Sequence, residues 1–210
     1  MITGGEGSLG RATARAFADA GHPVLAPGRR ELDVTDAAAA RAFFEEHPAE
    51  LVVCNAGLTR DAGLSRIEEA AWDEVIAVNL RGAAHCAAAA IPAMRRAGRG
   101  HLVFVSSYSA LHPPRGQAAY AAAKAGLIGL AKSLARELGP DGIRVNTILP
   151  GFLETPMTAG LTDERRGEIR RDHVLGRFNT PDVAAEFLVH LHDRLPHASG
   201  QVFQLDSRIA

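Results

Sequence analysis

Two reactive side chains stand out in the stretch AAYAAAKAG, residues 118–126, where Tyr120 and Lys124 are set in a run of small residues. Alanine is the strongest helix former, and positions i and i+4 share a helix face, so the phenol and the ammonium point the same way. A free tyrosine titrates near ~10, and activating it near neutrality takes a shift of about three units, worth ~4 kcal/mol. A lysine charge one turn along the helix acts in that direction. Thirteen residues before Tyr120, the run FVSSYS places Ser106 and Ser107 at the end of an apolar segment. A serine hydroxyl that holds a carbonyl oxygen while a phenol gives or takes its proton is acid–base chemistry at a ketone or secondary alcohol.

A second chemistry lies at the N-terminal end. TGGEGSLG, residues 3–10, follows a short apolar segment and opens a helical pattern. Gly5, Gly7 and Gly10 satisfy G-x-G-x-x-G in the strand–loop–helix context in which glycines bring backbone close to a pyrophosphate at a positive helix end. Gly4, Ser8 and Leu9 complete the loop, and the Ser8 hydroxyl adds a phosphate donor. The second strand ends in PGRR, with Gly28 where an acid would bind a ribose 2′-hydroxyl, followed by Arg29 and Arg30. An arginine fork suits a 2′-phosphate. The expected cofactor is NADP(H) by preference, with NAD(H) possible.

These groups need a scaffold that gathers them. Seven apolar runs read as strands: MIT, PVLAP, ELDV, ELVVCN, GHLVFVSS, IRVNTILP and GQVFQLD. Most are continuous rather than alternating, as in parallel strands covered on both faces. Helical patterns fall between them at roughly 9–20, 36–47, 67–95, 117–138 and 180–193. Strand–helix alternation predicts an α/β doubly wound Rossmann-type fold, with about seven parallel strands and helices on both faces. No linker or repeat divides residues 1–210, so one domain is expected. Only Met1 and Ile2 precede the glycine loop, which suggests a truncated first strand or a natural start a few residues earlier. VLAPGRRELDV leaves no room for a helix between the second and third strands. Ligands bind beyond the carboxyl ends of such strands, where Asn55, Ser106, Ser107, Asn146, Pro150 and Gly151 are found.

The bulk composition excludes other classes. Apolar residues make up 47% and the net charge is −1, which argues against nucleic acid or an anionic membrane as main partner. No apolar run is expected to span a bilayer, and the N-terminus lacks a signal-peptide pattern. Cys54 and Cys86 read as buried reduced thiols of a cytoplasmic protein. The nine histidines are scattered, and no metal is expected.

TGGEGSLG, LDVTD, CNAG, VNL, Ser107 with YAAAK, and ILPGFLETPM together resemble the short-chain dehydrogenase/reductase family over essentially the whole chain. The resemblance implies that Ser107, Tyr120 and Lys124 are catalytic and that Asn79 completes a tetrad by anchoring a proton-relay water. It also implies that Asp33 and Val34 contact the adenine. Asn55, Ala56 and Gly57 would line the cofactor with Tyr120, Lys124, Pro150 and Gly151, and Leu153 and Thr155 would meet the nicotinamide carboxamide. The second half is most similar to 3-oxoacyl-[acyl-carrier-protein] reductases, with a substrate loop around 152–178. Arg165, Arg166, Arg170 and Arg171 lie where that subfamily faces an acidic carrier protein, although a solvated helix face explains them as well. Small residues on the helices around 82–96 and 118–138 fit a homodimer or homotetramer. Ser8 replaces a family glycine, and the glycine spacing with ELDVTDAAAARAFFEEHPAELVVCNAG resembles dTDP-4-dehydrorhamnose reductases. A keto-sugar reductase is therefore the alternative substrate class, and a catalytically silent cofactor-binding or scaffold protein the alternative without chemistry.

Overall fold

The computed structural model describes residues 1–209. Four parallel strands form the sheet in the order β1 (Leu51–Cys54), β2 (Gly100–Val105), β3 (Ile143–Leu149) and β4 (Val202–Gln204). Val53 pairs with Val103, and Val103 with Asn146, so the central register is continuous. Outside β1 the chain start is joined by a parallel bridge from Ile2 to Val53, and the Met1 ammonium donates to Leu51 O at 2.9 Å. The segment around Leu25 lies beyond it, accepting from Ile2 N at 2.9 Å, while Pro27 accepts from Gly5 N at 3.0 Å. The first strand leads outward to residues 23–27 and the chain then crosses back to β1, so the strand order reverses beside the glycine loop. Such a switch point is where α/β sheets open a ligand crevice.

The expectation of about seven strands is corrected to a four-stranded ladder. MIT contributes a bridge and PVLAP two backbone bonds, while ELDV forms no strand. Residues 28–32 close into a turn in which Gly28 O accepts from Glu31 N and Leu32 N, and the Glu31 carboxylate accepts from Gly28 N at 2.8 Å. With these backbone groups paired locally, the outer edge gains no further rung.

Each face of the sheet carries its own apolar layer. Val52, Cys54, Leu102, Phe104 and Val145 pack with residues of α2 (Ala37–Glu46), α4 (Gly82–Ala97) and α5 (Ala118–Leu138). Val53, Val103, Val105 and Ile148 face the other way, toward Leu9 and Phe17 of α1 (Ser8–Asp19) and Leu188 and Leu191 of α7 (Pro181–Arg194). Successive strand residues point to opposite faces, and both faces are apolar, which is why the strand sequences show no alternation.

The helix expected at 67–95 runs from Glu69 to Ala97 as α3 (Glu69–Ile76), a π-helical turn (Ala77–Arg81) and α4. By length and composition it could cross a bilayer, which corrects the expectation that no such run exists. Here it is a core helix: Val75, Cys86, Ala87, Ala90 and Met94 are all buried within the fold.

The histidines are less scattered than the sequence suggests. His22, His101 and His192 gather at the amino ends of the strands, away from the switch point. Asn146 Nδ2 donates to Ala198 O and faces His101 Nε2 at 3.1 Å, while its Oδ1 accepts from Gln201 N. The amide so held makes His101 Nε2 an acceptor, so Nδ1 carries its proton toward His192 Nδ1 at 3.2 Å. Burial keeps His101 neutral, its pKa pulled down to about 2.

Candidate active site

The glycine loop is fastened to the end of β1 by one threonine. Thr3 Oγ1 accepts from both Asn55 N and Ala56 N, and Asn55 Nδ2 donates to the carbonyls of Thr3 and Gly4. The Asn55 side chain therefore holds the loop. In the sequence alone, a threonine before glycines carries no distinct signal, and Thr3 shows its role only in the fold. A Cβ on Gly5 would lie 2.0 Å from Ala26 O, and one on Gly10 2.4 Å from Gly4 O, so both approaches require glycine. Gly7 is the N-cap of α1 and supplies no side-chain cap, which leaves first-turn N–H groups and the Ser8 hydroxyl free for an anion.

Across the crevice, β2 delivers Ser106 and Ser107. Ser106 donates to Lys124 O at 2.7 Å and ties α5 to the strand. Ser107 caps a short 3₁₀ turn, its Oγ accepting from Ser109 N at 3.1 Å. Lys124 is 4% exposed and donates to Val105 O at 2.8 Å, with its ammonium 5.6 Å from the Tyr120 ring centroid. Among the described residues, one of its three donors meets a protein acceptor. Burial pulls the Lys124 pKa down to about 8, opposed by Cys54 beneath it.

The Tyr120 phenol departs from expectation. Its pKa is raised, chiefly by burial; the Ser107 hydroxyl acts in the lowering direction, and the Asp61 carboxylate pushes it further up. The lysine one turn away does not lower it in the protein by itself. The phenol is thus held in its protonated, proton-donating form.

Asn79 sits in the π turn and is fully buried. Its Nδ2 donates to Leu58 O and Val75 O, both at 2.9 Å, and its Oδ1 accepts from Leu58 N. Both amide hydrogens are thereby committed within the protein. A Cβ on Gly57 would fall 2.7 Å from Asn79 Oδ1 and 3.4 Å from Lys124 Nζ. Gly57, Asn79 and Lys124 are therefore immediate neighbours. A further polar chain borders the mouth: Gln117 Nε2 donates to Asp61 at 2.7 Å and Gln117 Oε1 accepts from Ser109 at 3.0 Å. Asp61 and Gln117 are 56 positions apart in the chain, a separation no spacing rule reveals.

Near the outer turn, Asp33 accepts from Thr35 N and Oγ1, and the Thr35 hydroxyl first of all holds its carboxyl below the ordinary range. Val34 is buried, its carbonyl contacted by His85 at 3.0 Å. Arg29 and Arg30 are exposed, with Arg29 3.9 Å from Asp33. Beyond β3, Pro150 O accepts from Asn179, Leu153 packs into the core, and Thr155 N donates to Thr158 Oγ1. Residues 152–178 include α6 (Asp163–Arg171). Three of its arginines are already engaged: Arg165 with Glu168, Arg166 with Glu154, and Arg170 over the Phe178 ring. The C-terminal segment closes over this loop. His173 bridges to Arg208, and Arg208 pairs with the buried Asp206 and stacks at 3.7 Å on Tyr108, next to Ser107.

A hydroxyl pair, a buried ammonium and an open helix N-terminus thus face one crevice. The family described as Enoyl-(Acyl carrier protein) reductase matches residues 25–207. The 3-oxoacyl-[acyl-carrier-protein] reductase FabG of Thermotoga maritima is 36% identical, over 98% of this chain and 95% of its own. The reductase MabA of Mycobacterium bovis is 42% identical, over 79% and 72%. Among solved structures, a putative NAD(P) dependent gluconate 5-dehydrogenase from Beutenbergia cavernae with bound NADP is 32% identical, with a TM-score of 0.94 over 98% of this chain and 94% of that one. An oxidoreductase of the short chain dehydrogenase/reductase family from Burkholderia thailandensis superposes with a TM-score of 0.91 at 31% identity, over 98% and 90%. The chain belongs to the short-chain dehydrogenase/reductase family and is an NAD(P)-dependent oxidoreductase.

Proposed function

We propose that the chain reduces a ketone, a 3-oxoacyl thioester or a similarly apolar carbonyl, to a secondary alcohol with NADPH. The observation that carries this is Tyr120 held protonated by burial beside Ser107, with the Lys124 ammonium buried below. The donors present fit a dinucleotide: the open α1 N-terminus and Ser8 for the pyrophosphate, Arg29 and Arg30 for a 2′-phosphate, and Lys124 for ribose hydroxyls. Asp33 and Val34 bound the adenine end; Ala56, Gly57, Pro150, Gly151, Leu153 and Thr155 bound the nicotinamide end. The bound cofactor supplies the hydride.

The chain's own residues handle the proton and the geometry. Ser107 orients the carbonyl oxygen, and the Tyr120 O–H donates to it as charge develops there. Lys124 offers its positive charge to the phenolate that remains. Asn79 positions Leu58 and the floor at Gly57. Residues 152–178 cover the mouth, and their first part, FLETPMTAGL, exposes Met157 and Leu161 as an apolar wall with no basic group for a nucleotide-sugar pyrophosphate. The likeness to the 3-oxoacyl-[acyl-carrier-protein] reductases of Thermotoga maritima and Mycobacterium bovis supports the thioester reading over the keto sugar. An acyl carrier protein is the proposed donor of that substrate, with Arg171 the α6 arginine that, among the described residues, makes no ion pair or ring contact.

Offered acetoacetyl thioesters, cyclic ketones and a dTDP-4-keto sugar with NADPH, the protein is expected to turn over the thioester most efficiently. Turnover of the sugar alone would overthrow the substrate assignment. A homodimer or homotetramer is proposed as well, through the exposed small residues Ala122, Ala125 and Gly129 of α5. A monomer by light scattering at micromolar concentration would contradict it.

A further inference from the structure

Gly28 ends the second extended segment, at the position where a dinucleotide fold carries an acid for the ribose 2′-hydroxyl. The position lacks a side chain, yet its space is filled. A Cβ built on Gly28 would lie 2.4 Å from Glu6 Cδ, 2.6 Å from Glu6 Oε2 and 2.7 Å from Glu6 Cγ. Glu6 comes from the middle of the glycine loop, and its carboxylate occupies the volume that a side chain at position 28 would take.

The loop backbone fixes this placement. Gly5 N donates to Pro27 O at 3.0 Å, and Gly5 lies against Ala26 so tightly that only glycine fits. The residue after Gly5 is thereby delivered over the end of the second segment. The other acid of this turn, Glu31, is committed to Gly28 N, and Asp33 to Thr35. Glu6 is exposed, and among the described residues it makes no ion pair or hydrogen bond. It is the carboxylate of this corner that remains available to a ligand, and it faces the same turn as Arg29 and Arg30.

We infer that Glu6 is a specificity residue of the cofactor site: its carboxylate receives the 2′-hydroxyl of NADH and opposes the 2′-phosphate of NADPH that Arg29 attracts. The inference rests on the proposed reading of the glycine loop as the cofactor's seat. A carboxylate accepts two hydroxyl hydrogen bonds well and repels a phosphate dianion, whereas an arginine does the reverse. With both at one turn, the chain uses either cofactor, and its preference for NADPH is smaller than Arg29 alone would impose.

The test is direct binding. NADH and NADPH are titrated by fluorescence, and ADP-ribose and its 2′-phosphate by calorimetry, against wild type, Glu6→Gln, Glu6→Ala and Arg29→Ala. Wild type is expected to bind both dinucleotides within about tenfold of each other. Each Glu6 variant should shift the ratio toward NADPH by about tenfold, with Glu6→Ala weakening NADH the most, and Arg29→Ala should shift it the other way. Equal changes for both cofactors, or no change, in the Glu6 variants would overturn the inference, as would a wild type that binds neither. Thermal denaturation separates a folding defect from a ratio change. If the ratio shifts as stated but no ketone is reduced, the inference stands and the proposed reaction falls.

Discussion

Tyr120→Phe is expected to lower kcat for ketone reduction by about a thousandfold, the scale of a lost general acid, while NADPH binding stays within a few-fold. The substitution removes one oxygen from a ring whose packing against Val75, Ala119 and Ala123 is apolar, so the fold has no reason to change. The pH dependence carries a separate signature. Burial raises the Tyr120 pKa, so the phenol is protonated and able to donate throughout the neutral range. Lys124 titrates at about 8. As pH rises through that value the ammonium proposed to stabilise the phenolate left by proton transfer is lost, and wild-type reduction should decline before the phenol itself ionises. In Tyr120→Phe the residual rate should lose the phenol's limb of the profile. Near wild-type turnover in that variant would end the mechanism.

Lys124→Met should abolish turnover and make the protein more stable at neutral pH. An ordinary lysine pKa of 10.5 falls to about 8 here because the charge is buried. Between those values the native state binds fewer protons than the unfolded chain, so stability rises with pH from about 8 upward. Below about 8 both states are charged and the whole penalty is present, about 3 kcal/mol. Removing the ammonium leaves Val105 O without its donor, a loss of about 1 kcal/mol. The variant should therefore gain roughly 2 kcal/mol at pH 7 by denaturant unfolding, an advantage that shrinks above pH 8. A variant that is less stable at pH 7 would show that the lysine is not the strained group proposed. A functional residue kept at a cost in stability is the pattern this measures.

The central strands and the catalytic helix could be read from residue order alone, for physical reasons. LVFV, residues 102–105 of β2, is apolar at every position because helices cover both faces, and such a run has few other folded uses. The alanine-rich α5 needs little tertiary help to be helical. ELDV failed because a short apolar run with a charge at each side fits a strand or a tight turn equally well, and Glu31 decided for the turn by capping Gly28. The direction of the Tyr120 pKa shift is not legible in the sequence, which shows the neighbour at i+4 but not the surroundings that desolvate the phenol. Thr3 with Asn55, Asp61 with Gln117, and Glu6 with Gly28 are meetings between distant segments. Only the folded chain shows that Glu6 stands in the space Gly28 leaves open.

The most direct test is one turnover with the protein in excess: enzyme loaded with NADPH is mixed with an acetoacetyl thioester, and both products are quantified. The proposed reduction requires a 3-hydroxyacyl thioester formed one-for-one with NADP⁺ in wild type, and neither product above background in Tyr120→Phe that still binds NADPH. Bound NADPH that stays unoxidised in wild type, with the thioester recovered unchanged, would contradict it and leave a cofactor-binding protein without this chemistry.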